Sequence, residues 1–162
     1  MEDSISSILI LVLLIIMSAY FSATETAYSS LNKIKLKSIA NKGNKKAKLA
    51  LELSEKYDSV ISTILIGNNI VNIATASLAT VLFTKLLGSS GVTVSTIVMT
   101  ILILIFGEIS PKSIAKDIPE SFAIVSAPLL NAFCIILKPV NNLFCLWKKV
   151  ISKVFKIQKH SG

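Results

Sequence analysis

The sequence predicts an all-α membrane protein, with three transmembrane helices, a bent or re-entrant segment, and amphipathic helices along the cytoplasmic face. Three observations carry that prediction. Of the 162 residues 52% are hydrophobic, mean hydropathy is +0.71, and only 16% are charged, where a soluble domain carries about 25%. The charges fall in blocks that bound long uncharged stretches. All 17 basic residues are lysines, set against 9 acids, for a net charge of +8. This composition excludes a disordered chain. A basic balance can signal nucleic acid, but lysines flanking apolar stretches mark the cytoplasmic side of a membrane instead. The expected partner is the lipid bilayer, with no nucleic acid.

The elements follow from the charges. After Glu2 and Asp3 no charge appears until Glu25, and residues 6–21 are mostly Ile, Leu, Val and Met. That gives a first span over about 5–24, since a crossing needs roughly 20 apolar residues. The acidic start and the poor cleavage edge after residue 21 argue against a signal peptide. Residues 59–84 form an uncharged stretch of 26 residues and the second span. The third covers 88–108. Only Lys85 and a short Leu-Leu-Gly-Ser-Ser-Gly run separate these two, so they form a helical hairpin. Helices are the choice because a lipid-embedded backbone must satisfy its own hydrogen bonds.

Residues 121–137, with Pro128 in their middle, are ambiguous by hydropathy alone. Charge decides the matter. The loop between Glu25 and Asp58 holds eight lysines and should be cytoplasmic. The N-terminus is then outside, and three spans return the chain to the cytoplasm at Lys112 and Lys116. A fourth crossing would place Lys148, Lys149, Lys153, Lys156 and Lys159 outside, against the positive-inside rule. Residues 121–137 are therefore expected to be re-entrant or interfacial. Residues 1–138 make up the transmembrane domain, in a multi-pass protein of the cell membrane with a cytoplasmic C-terminus. In 139–162, Val140, Leu143, Phe144, Trp147, Val150, Ile151, Val154 and Phe155 recur at helical spacing with lysines opposite. This is an amphipathic juxtamembrane helix and tail. A charged helix over 41–57 follows the Lys-Gly-Asn turn at 42–44.

Polar residues inside apolar spans need a reason. Ser18, Ser22 and Glu25 lie at i, i+4 and i+7 and share one face of the first helix. Asn68 and Asn72 share a face of the second. The third ends in Phe-Gly-Glu-Ile-Ser-Pro-Lys, residues 106–112. Pro111 has no N–H for the carbonyl of Gly107 and pushes that carbonyl aside. A free oxygen beside the Glu108 carboxylate results, one turn before Lys112. Hydroxyl, amide, carbonyl and carboxylate oxygens without His, Cys or Met suit a hard cation, Mg²⁺ or Na⁺. Each cluster also has a plainer reading. Serines pack helices, asparagines bond neighbouring helices, Glu25 can sit at the water interface, Lys112 can neutralise Glu108, and Pro111 can simply end a helix. The cation reading rests on all three clusters occurring together.

Phe-Ser-Ala-Thr-Glu-Thr-Ala (21–27), Ile-Gly-Asn-Asn-Ile-Val-Asn (66–72) and Phe-Gly-Glu-Ile-Ser-Pro-Lys (106–112) resemble the transmembrane domain of the CNNM/CorC magnesium transporters, also called hemolysin-like proteins. The resemblance runs from about residue 4 to about 150. It implies three spans, a belt of juxtamembrane helices, a homodimer, and a cation site built by all three helices. Mg²⁺ export, coupled to inward movement of Na⁺, is the activity it implies. By motif, Ser18 and Ser22 match the first-helix serines, Asn68 or Asn72 the second-helix asparagine, and Gly107 and Glu108 the third-helix carbonyl and acid. Glu25 matches an acid common among bacterial members but not present throughout the family. CBS modules, which bind ATP with Mg²⁺ in the family, are not expected in these residues, and neither is an ATP site.

The expected function is therefore Mg²⁺ transport, with a non-transporting membrane anchor or interaction module as the alternative. Lytic pore formation is suggested by the family's hemolysin label alone. Enzymatic chemistry has no support, because no nucleophile–base pair is present and the sole histidine, His160, lies in the tail. Cys134 and Cys145 read as apolar fillers.

Overall fold

The structure, a computed structural model, describes residues 2–160, with side-chain surroundings given through Lys156. Lys159 and His160 thus lie outside the described side chains. The first apolar run folds as one helix, α1, over Glu2–Ser30. Asn32 then starts a helix that the sequence reading does not assign, α2 over Lys33–Asn41. Its side-chain oxygen accepts the otherwise unpaired N–H groups of Ile34 and Lys35 at 2.9 and 3.2 Å. Asn44 caps α3, Lys45–Glu55, in the same way through the N–H of Ala47 at 3.0 Å. The turn between them needs the left-handed backbone of Gly43, at φ +93°.

The second apolar helix, α4, covers Tyr57–Leu87. The chain then reverses through one 3₁₀ turn, Gly88–Ser90, into α5, Gly91–Leu102. Gly88 takes φ +68°. A Cβ at Gly91 would stand 2.5 Å from the carbonyl oxygen of Phe83, so only glycine lets α5 start this close to α4. The expected hairpin is present, and its second leg does not stop at 108. It continues through a π-helical segment, Ile103–Ile109, into α6, Ser110–Asp117. The correction has a clear cause. Pro111 falls in the first turn of α6, and the chain passes it by widening to π pitch over Ile103–Ile109 instead of ending the helix.

Among the described residues three helical runs are long and apolar enough to cross a membrane: Glu2–Ser30, the folded-back Tyr57–Asp117, and α7 over Pro119–Ile136. Between them they bury two clusters. Leu11, Ala79, Leu82 and Met99 join α1, α4 and α5 near the hairpin turn. Phe21, Leu36, Ala47, Ile64, Ala115, Ala123 and Leu130 join the other end of the bundle to α2, α3, α6 and α7. Phe21 is the pivot of the second cluster, with its ring centroid 4.9 Å from that of Phe133. Ile, Leu and Val side chains such as Leu9, Ile73 and Val125 stay exposed around the outside. So broad an apolar surface is a lipid-facing one.

α7 is helical on both sides of Pro128. At its start Glu120 accepts the backbone N–H of Asn32 at 3.3 Å, just past the end of α1. The Tyr28 hydroxyl donates to the Ala123 carbonyl at 3.2 Å and the Tyr20 hydroxyl to that of Ser126 at 2.9 Å. Beyond its end, in α8 (Lys138–His160), Asn141 donates to Ser59 Oγ at 3.0 Å, near the start of α4. Both ends of α7 therefore meet the same end of the bundle, the one where α2 and α3 connect α1 to α4.

Replacing Gly91 by alanine sets a methyl group against backbone that cannot swing away. The Gly91→Ala protein should lose about 1–3 kcal/mol of stability, read as a lower thermal midpoint in detergent. An unchanged midpoint would mean that the hairpin is looser than this contact implies.

Candidate cation site

The site lies where α1, α4 and the π-helical segment meet. Ser18 is buried in the middle of α1, and its hydroxyl faces two amide oxygens from successive turns of α4. Oγ to Asn72 Oδ1 is 2.8 Å, and Oγ to Asn68 Oδ1 is 3.3 Å. One hydroxyl proton thus serves three clustered oxygens. It satisfies Asn72 best and leaves Asn68 oxygen lone pairs facing the same space. Both asparagines of the sequence reading take part, because a spacing of four residues puts them one above the other. The neighbouring Asn69 is exposed.

Ser22, one turn further along α1, is fully buried, and its hydroxyl has no hydrogen-bond partner among the described residues. A buried polar group without a partner is disfavoured by about 1–3 kcal/mol.

The third wall is backbone. Gly107 is the buried residue of the π-helical segment, and a Cβ there would stand 3.0 Å from Ser18 Oγ. Glycine is what lets the main chain of the third leg approach the serine. The N–H of Ser110 bonds the carbonyl of Ile105, five residues back. The next donor in the series belongs to Pro111, which has none. It would have served Phe106 in the π register or Gly107 in the α register, and it serves neither. The sequence reading located the lost donor, and the structure adds the pitch change that widens the turn around it.

The carboxylates stand apart from this cluster. Glu108 pairs with Lys112 at 3.4 Å, one turn along its own helix, with both side chains partly exposed. Glu25 is half-buried and forms no ion pair among the described residues. The structure therefore brings together Ser18, Asn68, Asn72 and Gly107. It leaves Ser22 beside them unpartnered, and holds Glu108 on Lys112. Among the described residues no three of His, Cys, Asp and Glu gather into a metal cluster. Ligation here would rest on neutral oxygens plus at most a carboxylate or two, a donor set for a hard cation that keeps part of its water.

A family profile described as the Cyclin M transmembrane N-terminal domain, CNNM, matches residues 9–162. The chain belongs to this family. Similar proteins include a "UPF0053 protein" of Haemophilus influenzae, 42% identical over 76% of this chain and 30% of its own length. Another is the "UPF0053 inner membrane protein YfjD" of Escherichia coli, 44% identical over 70% of this chain and 26% of its own. A third, the "Polyamine export protein" of Haemophilus influenzae, is 31% identical over 77% of this chain and 32% of its own. The chain spans about a third or less of each of these relatives. It is a CNNM transmembrane domain, and a multi-pass membrane protein accordingly.

Within the CNNM domain the two serines should behave oppositely in the absence of ions. Ser18→Ala removes an interhelical hydrogen bond and should lower stability by about 0.6–1.7 kcal/mol. Ser22→Ala removes an unpartnered buried hydroxyl and should raise it by about 1 kcal/mol. Chemical or thermal unfolding in ion-free detergent measures both. Equal losses at the two positions would contradict the orphaned state of Ser22.

Proposed function

We propose that this CNNM domain binds and moves a hard divalent cation, Mg²⁺, at the meeting point of α1, α4 and the π-helical segment. The observation that carries the reading is the oxygen cluster itself. Ser18, Asn68, Asn72, the Ser22 hydroxyl and the carbonyl left without a donor at Phe106 or Gly107 offer neutral oxygen acceptors from three elements of the bundle. Broken or re-pitched helices with freed carbonyls are how transporters hold ions within the bilayer. Glu108 supplies the charge once Lys112 releases it. Water completes the octahedral shell, since Mg²⁺ sheds its hydration reluctantly.

The transport reading includes Mg²⁺ export driven by Na⁺ moving inward, with Na⁺ competing for the same oxygens. It also includes a homodimer, an N-terminus outside, a cytoplasmic C-terminus, and α7 lying at the inner face without crossing. The attachment of both ends of α7 to the same end of the bundle supports that last point. The lysine-rich α2 and α3 at that end support a cytoplasmic assignment for it.

Two other readings each have an observation behind them. The bond from Ser18 to Asn72 ties α1 to α4 without any ion, as a simple membrane anchor would. The relative named for polyamine export raises an organic polycation as the cargo.

Thermal stability in detergent across a Mg²⁺ series, with Na⁺, K⁺ and spermidine in parallel, separates all three. The proposal expects saturable stabilisation by Mg²⁺, about 2.7 kcal/mol at a hundredfold excess over Kd. This should be opposed by Na⁺ and lost in Glu108→Ala and Ser22→Ala. Stabilisation by spermidine alone would give the site to a polyamine, and a flat response to every cation would favour the anchor. In reconstituted vesicles, Glu108→Ala should abolish Mg²⁺ flux while the protein stays folded. Undiminished flux would remove Glu108 from the site.

A further inference from the structure

α8 is joined to the bundle through its first turn. Asn141, its single buried side chain among the described residues, holds Ser59 at the start of α4. Phe144, Cys145, Trp147 and Lys148 then line a shallow cavity of about 230 Å³ against Ser62, Leu65 and Ile66 of α4. Beyond this point the helix carries its apolar side chains uncovered. Leu143 is 67% exposed, Trp147 61% and Phe155 65%. At 100° per residue these three fall with Val150, Ile151 and Val154 in one arc, while Lys149, Lys153 and Lys156 fall opposite and Lys148 lies at the margin.

We infer that α8 is a sensor of anionic lipid: its apolar arc sinks into the inner leaflet while Lys148, Lys149, Lys153 and Lys156 collect acidic headgroups. Two features of the molecule select the bilayer as occupant. The first is continuity. The arc begins against Leu65 and Ile66 on the lipid-facing side of a membrane-crossing helix, so the surface it extends is already a lipid surface. The second is charge. No Asp or Glu follows Glu120 in this sequence, so the segment from 121 onward carries lysine as its only charged residue type. A basic amphipathic helix with Trp and Phe on its apolar arc is built for the interfacial zone, and each lysine near an anionic surface strengthens the attachment. The inference concerns α8 alone and stands whether or not the cation site is as proposed.

Trp147 is the sole tryptophan of the chain, so fluorescence reports on α8 without labelling. The protein is reconstituted in mixed phosphatidylcholine and phosphatidylglycerol bilayers with bromine on the acyl chains of one lipid or the other. The expected result is strong quenching by both, and several-fold stronger per molecule when the phosphatidylglycerol is brominated. Added salt should weaken that preference. Replacing the four lysines together, as Lys148→Gln, Lys149→Gln, Lys153→Gln and Lys156→Gln, should abolish the preference and retain quenching. All four side chains are exposed, so the fold is not at risk. Equal quenching by the two lipids in the unaltered protein would overturn the headgroup selection. Unquenched emission would overturn the membrane placement. Blue-shifted, that emission would mean a second copy or another protein covers the arc; red-shifted, that the arc faces water.

Discussion

A hydroxyl or amide inside hydrocarbon has no water to turn to, and the polar positions of this bundle are arranged around that constraint. Most of them solve it locally. Thr24, Thr63 and Thr75 are buried, and each donates to the carbonyl four residues back on its own helix, at 2.6, 3.0 and 2.7 Å. Such a hydroxyl is used up and can offer an ion little. Ser18 and Ser22 do not follow this pattern. One reaches across to α4, and the other bonds nothing. The candidate site is thus defined by the two buried hydroxyls of α1 that decline the local solution, and their positions one turn apart put both on the face toward the third leg.

That third leg has to come close for the arrangement to exist, and two residues four apart allow it. Gly107 removes the side chain that would press on Ser18, and Pro111 removes the donor that would occupy a carbonyl in the same turn. Either alone would be an ordinary feature of a membrane helix. Together, with the π pitch between Ile103 and Ile109, they expose main chain to the serine at a depth where exposed main chain is otherwise disfavoured. The packing around Phe21 fixes the approach from the other side. A Cβ on Gly67 would come within 2.6 Å of the ring, so α4 is drawn against α1 one residue before Asn68.

The membrane architecture was legible because charge is a coarse signal spread over many residues. The three blocks of uncharged sequence became α1, α4 and the α5-to-α6 leg. Ser18, Asn68, Asn72 and Gly107 were likewise legible, since each is a small or polar residue in an apolar run. What escaped depends on three-dimensional placement. The α2 helix is short and lysine-rich, and Asn32 alone announced it. The π segment has an apolar sequence like any other part of the leg, so only the hydrogen-bond register reveals it. Nothing in the sequence pairs the phenols of Tyr20 and Tyr28 with α7, yet they hold its backbone at Ser126 and Ala123. The free state of Ser22 could not be read from a sequence in which Ser18 carries the same side chain on the same face.

The placement of Glu108 bears on how a cation would engage the oxygens. Its carboxylate is already held by an ammonium of the same helix, at 3.4 Å. Both partners are partly exposed and belong to one helix, so the pair ties no two elements together. The pair leaves the Glu108 carboxylate neutralised by its own helix. On the proposed reading, a divalent ion among the neutral oxygens of Ser18, Asn68 and Asn72 would gain a full negative charge by drawing Glu108 away from Lys112, and the exchange would release an ammonium into partly exposed surroundings. A monovalent ion offers the carboxylate roughly what Lys112 already does, and so has less to gain by parting the pair. Discrimination between charges can then arise from a competitor built into the chain, without a cluster of acids and without a rigid cage.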